Sequence, residues 1–309
     1  MGKQIIEKLK TDSDILDNLV IIKSGLKAYQ NGKGKPKQTK EIVKNRPFDY
    51  KLKFDENTHK YLEGKDVLRF ALNWSGEYLQ FGEHLAEPRI FPGKKLIIRE
   101  ITSKFPYSLI ATYTEELYLF NISNVVVLER DDMQIDLKYI LAIINSSLLS
   151  YYFLLNTAKS VRIMFPKIIL TDLRQFPIKA IALDDQRPFI SKADTMLSKN
   201  RELHELKTDF LNFMKAELKP AKISKKLENW QGLDWESFNK ELTKCKAKDL
   251  NLQERKEWLS YFTEQKGKAA EIQTIIDSTD REIDQMVYEL YGLTEEEIHV
   301  VENNYKEKK

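Results

Sequence analysis

Lys95-Leu96-Ile97-Ile98-Arg99, Leu109-Ile110-Ala111-Thr112-Tyr113, Leu117-Tyr118-Leu119-Phe120 and Val125-Val126-Val127-Leu128 follow one another between residues 95 and 128, separated by turn-forming residues. Short runs of β-branched and aromatic residues with such punctuation predict strands, here the strands of one mixed or antiparallel sheet. Asp136 then stands where a helix N-cap belongs, ahead of Leu137, Ile140, Leu141, Ile144, Leu148, Tyr151, Tyr152 and Leu155 at helical spacing. The pattern predicts one long helix buried along one face. Sheet and helix in succession give an α+β class.

On the N-terminal side, residues 23 to 54 carry ten basic residues (Lys23, Lys27, Lys33, Lys35, Lys37, Lys40, Lys44, Arg46, Lys51, Lys53) against Glu41 and Asp49. At their centre, Asn31-Gly32-Lys33-Gly34-Lys35-Pro36-Lys37 predicts a mobile basic loop. Residues 1 to 22 are amphipathic, with Ile5, Ile6, Leu9, Ile15, Leu16, Leu19 and Val20, and suit a short helix or a helix and strand. On the C-terminal side a second irregular basic stretch, Lys159, Arg162, Lys167 and Arg174, is interleaved with apolar residues and closes at Phe176-Pro177-Ile178.

From Asp184 to Lys219 one apolar stripe of Ile190, Ala193, Leu197, Leu203, Leu206, Phe210, Phe213 and Met214 predicts a helix that Pro220 ends. A charged segment with a short helix follows around Trp230, Leu233, Trp235 and Phe238. Residues 252 to 291 are helical again, and Gly292 stops the last helix. The expected layout is therefore a connector over 1–22, a sheet-containing domain over 23–180 and a mainly α-helical C-terminal domain over 181–309.

Bulk properties remove several classes. The 309 residues are enough for two cores, and 42% hydrophobic with 31% charged residues excludes disorder throughout. Net charge is only +3, from 50 Lys+Arg against 47 Asp+Glu, so any nucleic-acid signal must lie in how charge is distributed. The single Cys245 closes no intramolecular disulfide, and no secretory pattern opens the chain, which makes the cytoplasm the expected compartment. No membrane span is expected, because Lys138, Asn145, Ser146, Ser147 and Ser150 interrupt the most apolar stretch, Leu137 to Leu155.

A search for chemistry returns little. No Pro-Pro pair occurs, so the Pro-rich loop with which an adenine methyltransferase holds its flipped base is missing, and GxGxxG and P-loop patterns are absent too. Glu264-Gln265-Lys266 matches half of a nuclease pattern, but no Pro-Asp precedes it. His59, His84, His204 and His299 are scattered singly, and Cys245 has no partner histidine near it in sequence. The chain is expected to contribute no catalytic residue, no metal and no cofactor of its own.

What remains is a binding signal. Lysine and arginine supply phosphate contacts and loop side chains supply base-edge hydrogen bonds. The DNA-contacting candidates are Lys33, Lys35, Lys37 and Lys40 of the first basic segment, Arg99 at a strand end, Lys104 beyond it, and Lys159, Arg162, Lys167 and Arg174 of the second. Composition alone leaves open that these are solvated surface residues. Arg99 could equally be a salt-bridge partner, and Tyr29, Phe105 and Tyr107 could stack on bases or belong to the core.

The order of segments resembles the target recognition domain at the C-terminal end of combined restriction-methylation enzymes of the Eco57I and TaqI-methyltransferase type. Three stretches carry the likeness. One runs from Gly25-Leu26-Lys27-Ala28-Tyr29 through the glycine-lysine loop to Arg46-Pro47-Phe48 and Tyr61-Leu62-Glu63-Gly64-Lys65-Asp66-Val67. Another joins Pro88-Arg89-Ile90-Phe91 to Lys95-Leu96-Ile97-Ile98-Arg99-Glu100. The most specific is Leu137 to Leu148 with its Asn145-Ser146 pair inside an apolar helix, together with Leu173-Arg174-Gln175-Phe176-Pro177-Ile178. Helices resembling the spacers of such enzymes and of Type I specificity subunits follow, and the segment from Tyr288 to Ile298 resembles their usual C-terminus.

The resemblance implies binding of double-stranded DNA beside a methyltransferase or nuclease domain or chain, to which S-adenosylmethionine and Mg²⁺ would belong. Family members carry that catalytic domain upstream, whereas this chain begins almost at the recognition domain; a fragment, a split subunit and a remnant are all consistent with it. Three other classes stay open: a Type I specificity subunit, which would normally hold two recognition domains, a catalytic enzyme, which would require a metal or cofactor site, and a helical adaptor for a catalytic partner.

Overall fold

A computed structural model describes residues 1–132, 134–156 and 167–303. In chain order the elements are α1 (Gly2–Lys10), β1 (Asp14–Ile15), α2 (Leu16–Leu19), β2 (Ile21–Ser24), α3 (Lys40–Asn45), β3 (Asp49–Tyr50), β4 (Thr58–Leu62), β5 (Val67–Leu68), β6 (Ala71–Leu72), β7 (Tyr78–Gln80), β8 (Lys95–Arg99), β9 (Ala111–Thr114), β10 (Leu119–Phe120) and β11 (Asn124–Leu128). Then come α4 (Leu137–Ile144), α5 (Ser147–Asn156), α6 (Leu170–Arg174), β12 (Pro177–Ile178), α7 (Leu183–Leu218), α8 (Lys225–Glu228), α9 (Trp235–Lys244), α10 (Leu252–Leu290) and α11 (Glu295–Asn303). The α+β class is as expected.

The chain divides into two compact units, Met1–Leu197 with Asp280–Lys309, and Ser198–Thr279. The first contains two four-stranded sheets rather than the single one expected. One has the order β2-β11-β8-β9 and is antiparallel throughout; the other has the order β10-β4-β7-β3, with β10 parallel to β4. Leu119 and Phe120 thus leave the strands around them and pair with Tyr61 and Leu62. Alternating hydrophobicity marks a strand without naming its partner. The first four residues of β8 and of β11 are all buried, which fits strands covered on both faces. One cover is α4, packed on β8 and β9. A further apolar cluster joins Ile97 and Val126 to Leu62, Val67 and Phe120.

The long helix expected over 137–155 is two helices bent by 66°. Asp136 caps α4 as its sequence position suggests, accepting from Lys138 N at 2.6 Å. The break has a chemical cause at each residue. Ser146 Oγ accepts from Leu149 N (3.2 Å) and donates to Ile143 O (2.7 Å), so it caps α5. Asn145 turns its amide onto β9: Oδ1 accepts from Ala111 N and Nδ2 donates to Ala111 O, both at 2.9 Å. No single helix among the described residues is long and apolar enough to cross a membrane, and the bent pair α4–α5 is mostly buried within this unit.

The expected boundaries at 22 and 180 differ from the observed ones. Residues 1–22 are part of the first unit, with Ile5, Leu9, Leu16 and Leu19 fully buried and β1 paired to β12. The chain also returns to this unit at Asp280. Arg69 donates through Nε and Nη2 to Asn145 O (3.1 and 2.8 Å), and through Nη1 to Asp280 Oδ2 (2.6 Å). Asp284 accepts from Ser147 N (2.9 Å) and from the Tyr107 hydroxyl (3.0 Å), placing a carboxylate at the positive end of α5. Ser147 Oγ and the Tyr288 hydroxyl lie 2.7 Å apart.

The second unit is helical. Phe210, Met214, Leu218, Leu227, Trp230, Phe238, Leu242, Cys245, Trp258 and Phe262 form its buried cluster. Cys245 belongs to that core rather than to any reactive site. Phe213, expected on the buried stripe of its helix, is 45% exposed.

Candidate nucleic-acid interface

Most of the basic candidates leave one end of the first sheet. Antiparallel pairing sets the last residue of β2, Ser24, beside the start of β11, and Asn124 across from Arg99, the last residue of β8. Two segments depart from there. Residues 25–28 run from β2 toward the lysine loop, held by Gly25 N to Asn124 O (2.9 Å) and Leu26 N to Phe120 O (2.8 Å). Residues 100–108 leave from β8.

The backbone of the lysine loop, expected from composition to be mobile, is tied down by hydrogen bonds. Gln38, 2% exposed, donates through Nε2 to Ala28 O and His84 O and accepts Gln30 N through Oε1, each at 2.8 Å. Further bonds run from Gln38 N to Lys33 O (2.8 Å), Gly32 N to Gln38 O (2.8 Å) and Lys35 N to Glu83 O (2.7 Å). Gly34 has φ +82° and lies against the His84 carbonyl, where a Cβ would collide. Around this fixed backbone Lys33, Lys35, Lys37 and Lys40 are exposed. The only ion pair among these four in the described residues is Lys35–Glu83 at 3.6 Å, with both side chains well solvated, and such a contact is weak.

At the β8 corner, Arg99 Nε donates to Ile101 O (2.7 Å), and no carboxylate among the described residues pairs with this side chain. Burial depresses its pKa, although guanidinium stays charged. The salt-bridge reading of Arg99 thus gives way to a backbone-anchored, half-buried guanidinium. Lys104 is exposed in the segment that follows. Lys167 joins this corner through a bridge to Ile101 and a 3.8 Å ion pair with Glu100, whose carboxyl is raised by burial and lowered in part by that lysine. Arg174 lies apart: it ends α6 and pairs with Asp17 at 3.3 Å, before the start of β2 and so toward the opposite end of that strand. Lys159 and Arg162 lie outside the described residues.

The aromatic candidates are mostly committed to structure. The Tyr29 hydroxyl donates to Asp49 Oδ1 and accepts from Phe48 N, both at 2.9 Å, and its ring stacks on Phe48. Arg46 lies 5.0 Å over the Tyr29 ring and binds Asp49 Oδ2 at 2.6 Å; burial would lower its pKa, but the hydrogen bond and charge of Asp49 raise it. Tyr107 lies under the Arg69 guanidinium at 3.8 Å. Charge alone marks Lys51 and Lys53 as part of the basic segment and misses what lies between and after them: Leu52 is 64% and Phe54 49% exposed, a lysine-flanked apolar pair legible as Lys51-Leu52-Lys53-Phe54. Among the described residues no group of three or more His, Cys, Asp or Glu could hold a metal.

The comparisons bear on this same region. Residues 59–178 match the family described as the TaqI-like C-terminal specificity domain. This stretch is similar to a TaqI-like specificity domain. It takes in β4 through β12, including the β8 corner and the Asn145-Ser146 break, while the lysine loop precedes it. Residues 182–287 match a domain of unknown function (DUF8810). Among solved structures, the Type IIL restriction-modification enzyme MmeI in complex with DNA is similar at 9% identity and TM-score 0.49, covering 93% of this chain and 35% of that one. The Type I restriction-modification S subunit from M. genitalium is similar at 15% identity and TM-score 0.35, covering 66% of this chain and 43% of that one. The HsdS subunit from Thermoanaerobacter tengcongensis is similar at 13% identity and TM-score 0.34, covering 74% and 47%. The chain thus spans about a third of MmeI and less than half of either subunit. No curated protein matches it in sequence.

Proposed function

We propose that this chain is the DNA-reading module of a restriction-modification system. It would bind a short duplex sequence and present it to an adenine-methylating or cleaving part carried on another domain or chain. The observation that carries the reading is the coincidence of the specificity-domain match over residues 59–178 with the sheet end from which the basic segments leave. Lys33, Lys35, Lys37 and Lys40, on a fixed backbone, supply phosphate contacts that position the duplex. Arg99, Lys104 and Lys167 supply donors at the β8 corner, where a well-placed bidentate pair discriminates a base by on the order of 1–3 kcal/mol. The exposed Leu52 and Phe54, flanked by lysines, have the chemistry of an apolar wedge beside phosphate contacts. S-adenosylmethionine and Mg²⁺ belong in this reading to the catalytic part, as in Type IIG enzymes, and the complex works in the cytoplasm.

The test is selection of the purified chain on a randomised duplex pool at moderate salt, followed by sequencing of the retained fraction. Enrichment of one short motif is expected. Retention without enrichment would remove sequence reading from this chain.

A further inference from the structure

The second unit contains a cavity of about 350 Å³ within the segment matched to the domain of unknown function. Three rings wall it. Phe213 lies 5.4 Å from Trp258 and 5.1 Å from Tyr261, and Trp258 lies 5.8 Å from Tyr261, with interplanar angles of 31°, 65° and 85°. Trp258 is buried in the core of the unit and Tyr261 stacks on Phe210 at 5.5 Å, so Phe213 offers the open aromatic face of this wall. Three carboxylates, Glu217, Glu254 and Glu257, complete the lining. Lys248 occupies Glu254 at 2.8 Å, while Glu257 accepts a hydrogen bond from Gln253 Nε2 at 2.8 Å. Lys248, itself part of the lining, also feels the charge of Glu217; among the described residues no lysine or arginine forms an ion pair with Glu257, and three carboxylates against one ammonium leave the lining with an excess of negative charge.

That combination selects a class of occupant. Phosphate is repelled by this lining. A purely apolar group would leave the carboxylates unused. A guanidinium satisfies both features, since it stacks on aromatic faces and pairs bidentately with carboxylates. We propose that this cavity receives an arginine side chain presented by a protein partner. Phe213 is the accessible wall, its 45% exposure being unusual for a residue on the core-facing stripe of α7. The site is separate in residues and in chemistry from the DNA-reading end, and stands or falls independently of it.

The probe is the peptide acetyl-Gly-Arg-Gly-amide, titrated into the full chain while the indole N–H resonance of Trp258 is followed, with acetyl-Gly-Gln-Gly-amide as the neutral control. A saturable shift is expected with the arginine peptide, and affinity for the glutamine peptide on the order of tenfold lower or unmeasurable. Phe213→Ala, and separately Glu217→Gln with Glu257→Gln, should each weaken binding about fivefold or more. Unchanged Trp230 and Trp235 resonances report that the unit remains folded. Equal response to both peptides, undiminished binding by the variants, or saturation by spermidine but not by the arginine peptide would overturn the proposal.

Discussion

Replacing Asn145 with leucine keeps the size of the side chain and removes both hydrogen bonds that fasten the α4–α5 break to β9. The consequences for the two groups of Ala111 differ. Its N–H loses the Asn145 Oδ1 acceptor inside a fully buried environment, and stranding a buried donor costs about 1–3 kcal/mol. Its carbonyl keeps a second donor, Phe70 N at 2.9 Å, so only the net worth of one bond is lost there, about 0.5–1.5 kcal/mol. The sum is about 1.5–4.5 kcal/mol, a large share of the stability of an ordinary domain. Urea unfolding followed by far-UV circular dichroism measures the loss, and amide exchange at Ala111 localises it, since that N–H should exchange much faster in the variant. A loss under about 0.5 kcal/mol with unaltered Ala111 protection would refute the argument that Asn145 is present for this strand.

Changing Lys33, Lys35 and Lys37 together to alanine should weaken DNA binding by a similar factor on every sequence and reduce the slope of log affinity against log salt by up to about 2.7; an unchanged slope removes the loop from the interface. Gly34→Ala keeps every lysine but meets a left-handed φ and the His84 carbonyl, so DNA affinity should fall while the circular dichroism spectrum stays native; undiminished affinity would mean that the backbone path of the loop is irrelevant. Burial pushes the Asp284 carboxyl up to about 6 from 3.8, so between those pH values the native chain holds a proton that the unfolded chain has released. Stability contributed by this group is therefore present at low pH and is lost as pH rises from about 4 to 6, by at most about 1.4 kcal/mol per pH unit. Asp284→Asn should flatten that part of the pH profile measured by urea unfolding; parallel profiles for the two proteins would contradict it.

What the sequence disclosed and what it withheld divide along local and distant causes. The strands at 95–99, 111–114 and 124–128 are visible because β-branched runs between turns fix backbone preference within a few residues. Asp136 is visible as a cap for the same reason. The break at Asn145 shows in sequence only as an unusual polar pair within one apolar helical pattern, because its cause is a strand 34 residues earlier. Asp280 and Asp284 look like solvated helix charges until Arg69 and Tyr107 are brought to them, 211 and 177 residues away in sequence, and the return of the C-terminal segment to the first unit was hidden with them. In the lysine loop, charge correctly announced exposed side chains. One buried residue, Gln38, decided that the backbone is held, and nothing in composition distinguishes it from a solvated glutamine.

The same distant contacts explain how the β8 corner could serve recognition. Discriminating one base pair from another requires donors placed to a fraction of an ångström, and loops achieve that only when rigid elements hold them. The segment carrying Lys104 leaves Arg99 and is fastened before it re-enters the sheet: Ser108 N and Leu109 N both donate to Ser150 Oγ of α5, at 3.0 and 3.3 Å, and the Tyr107 hydroxyl donates to Asp284 of α10. Arg69 braces the same place, since it caps the end of α4, pairs with Asp280 and covers the Tyr107 ring. The bend between α4 and α5 is thus more than a packing accident. It brings the Asn145 carbonyl to Arg69 and the first turn of α5 to Asp284, two contacts that a straight helix would draw apart. The Asn145-Ser146 pair therefore acts structurally, by fixing the frame on which the β8 corner stands.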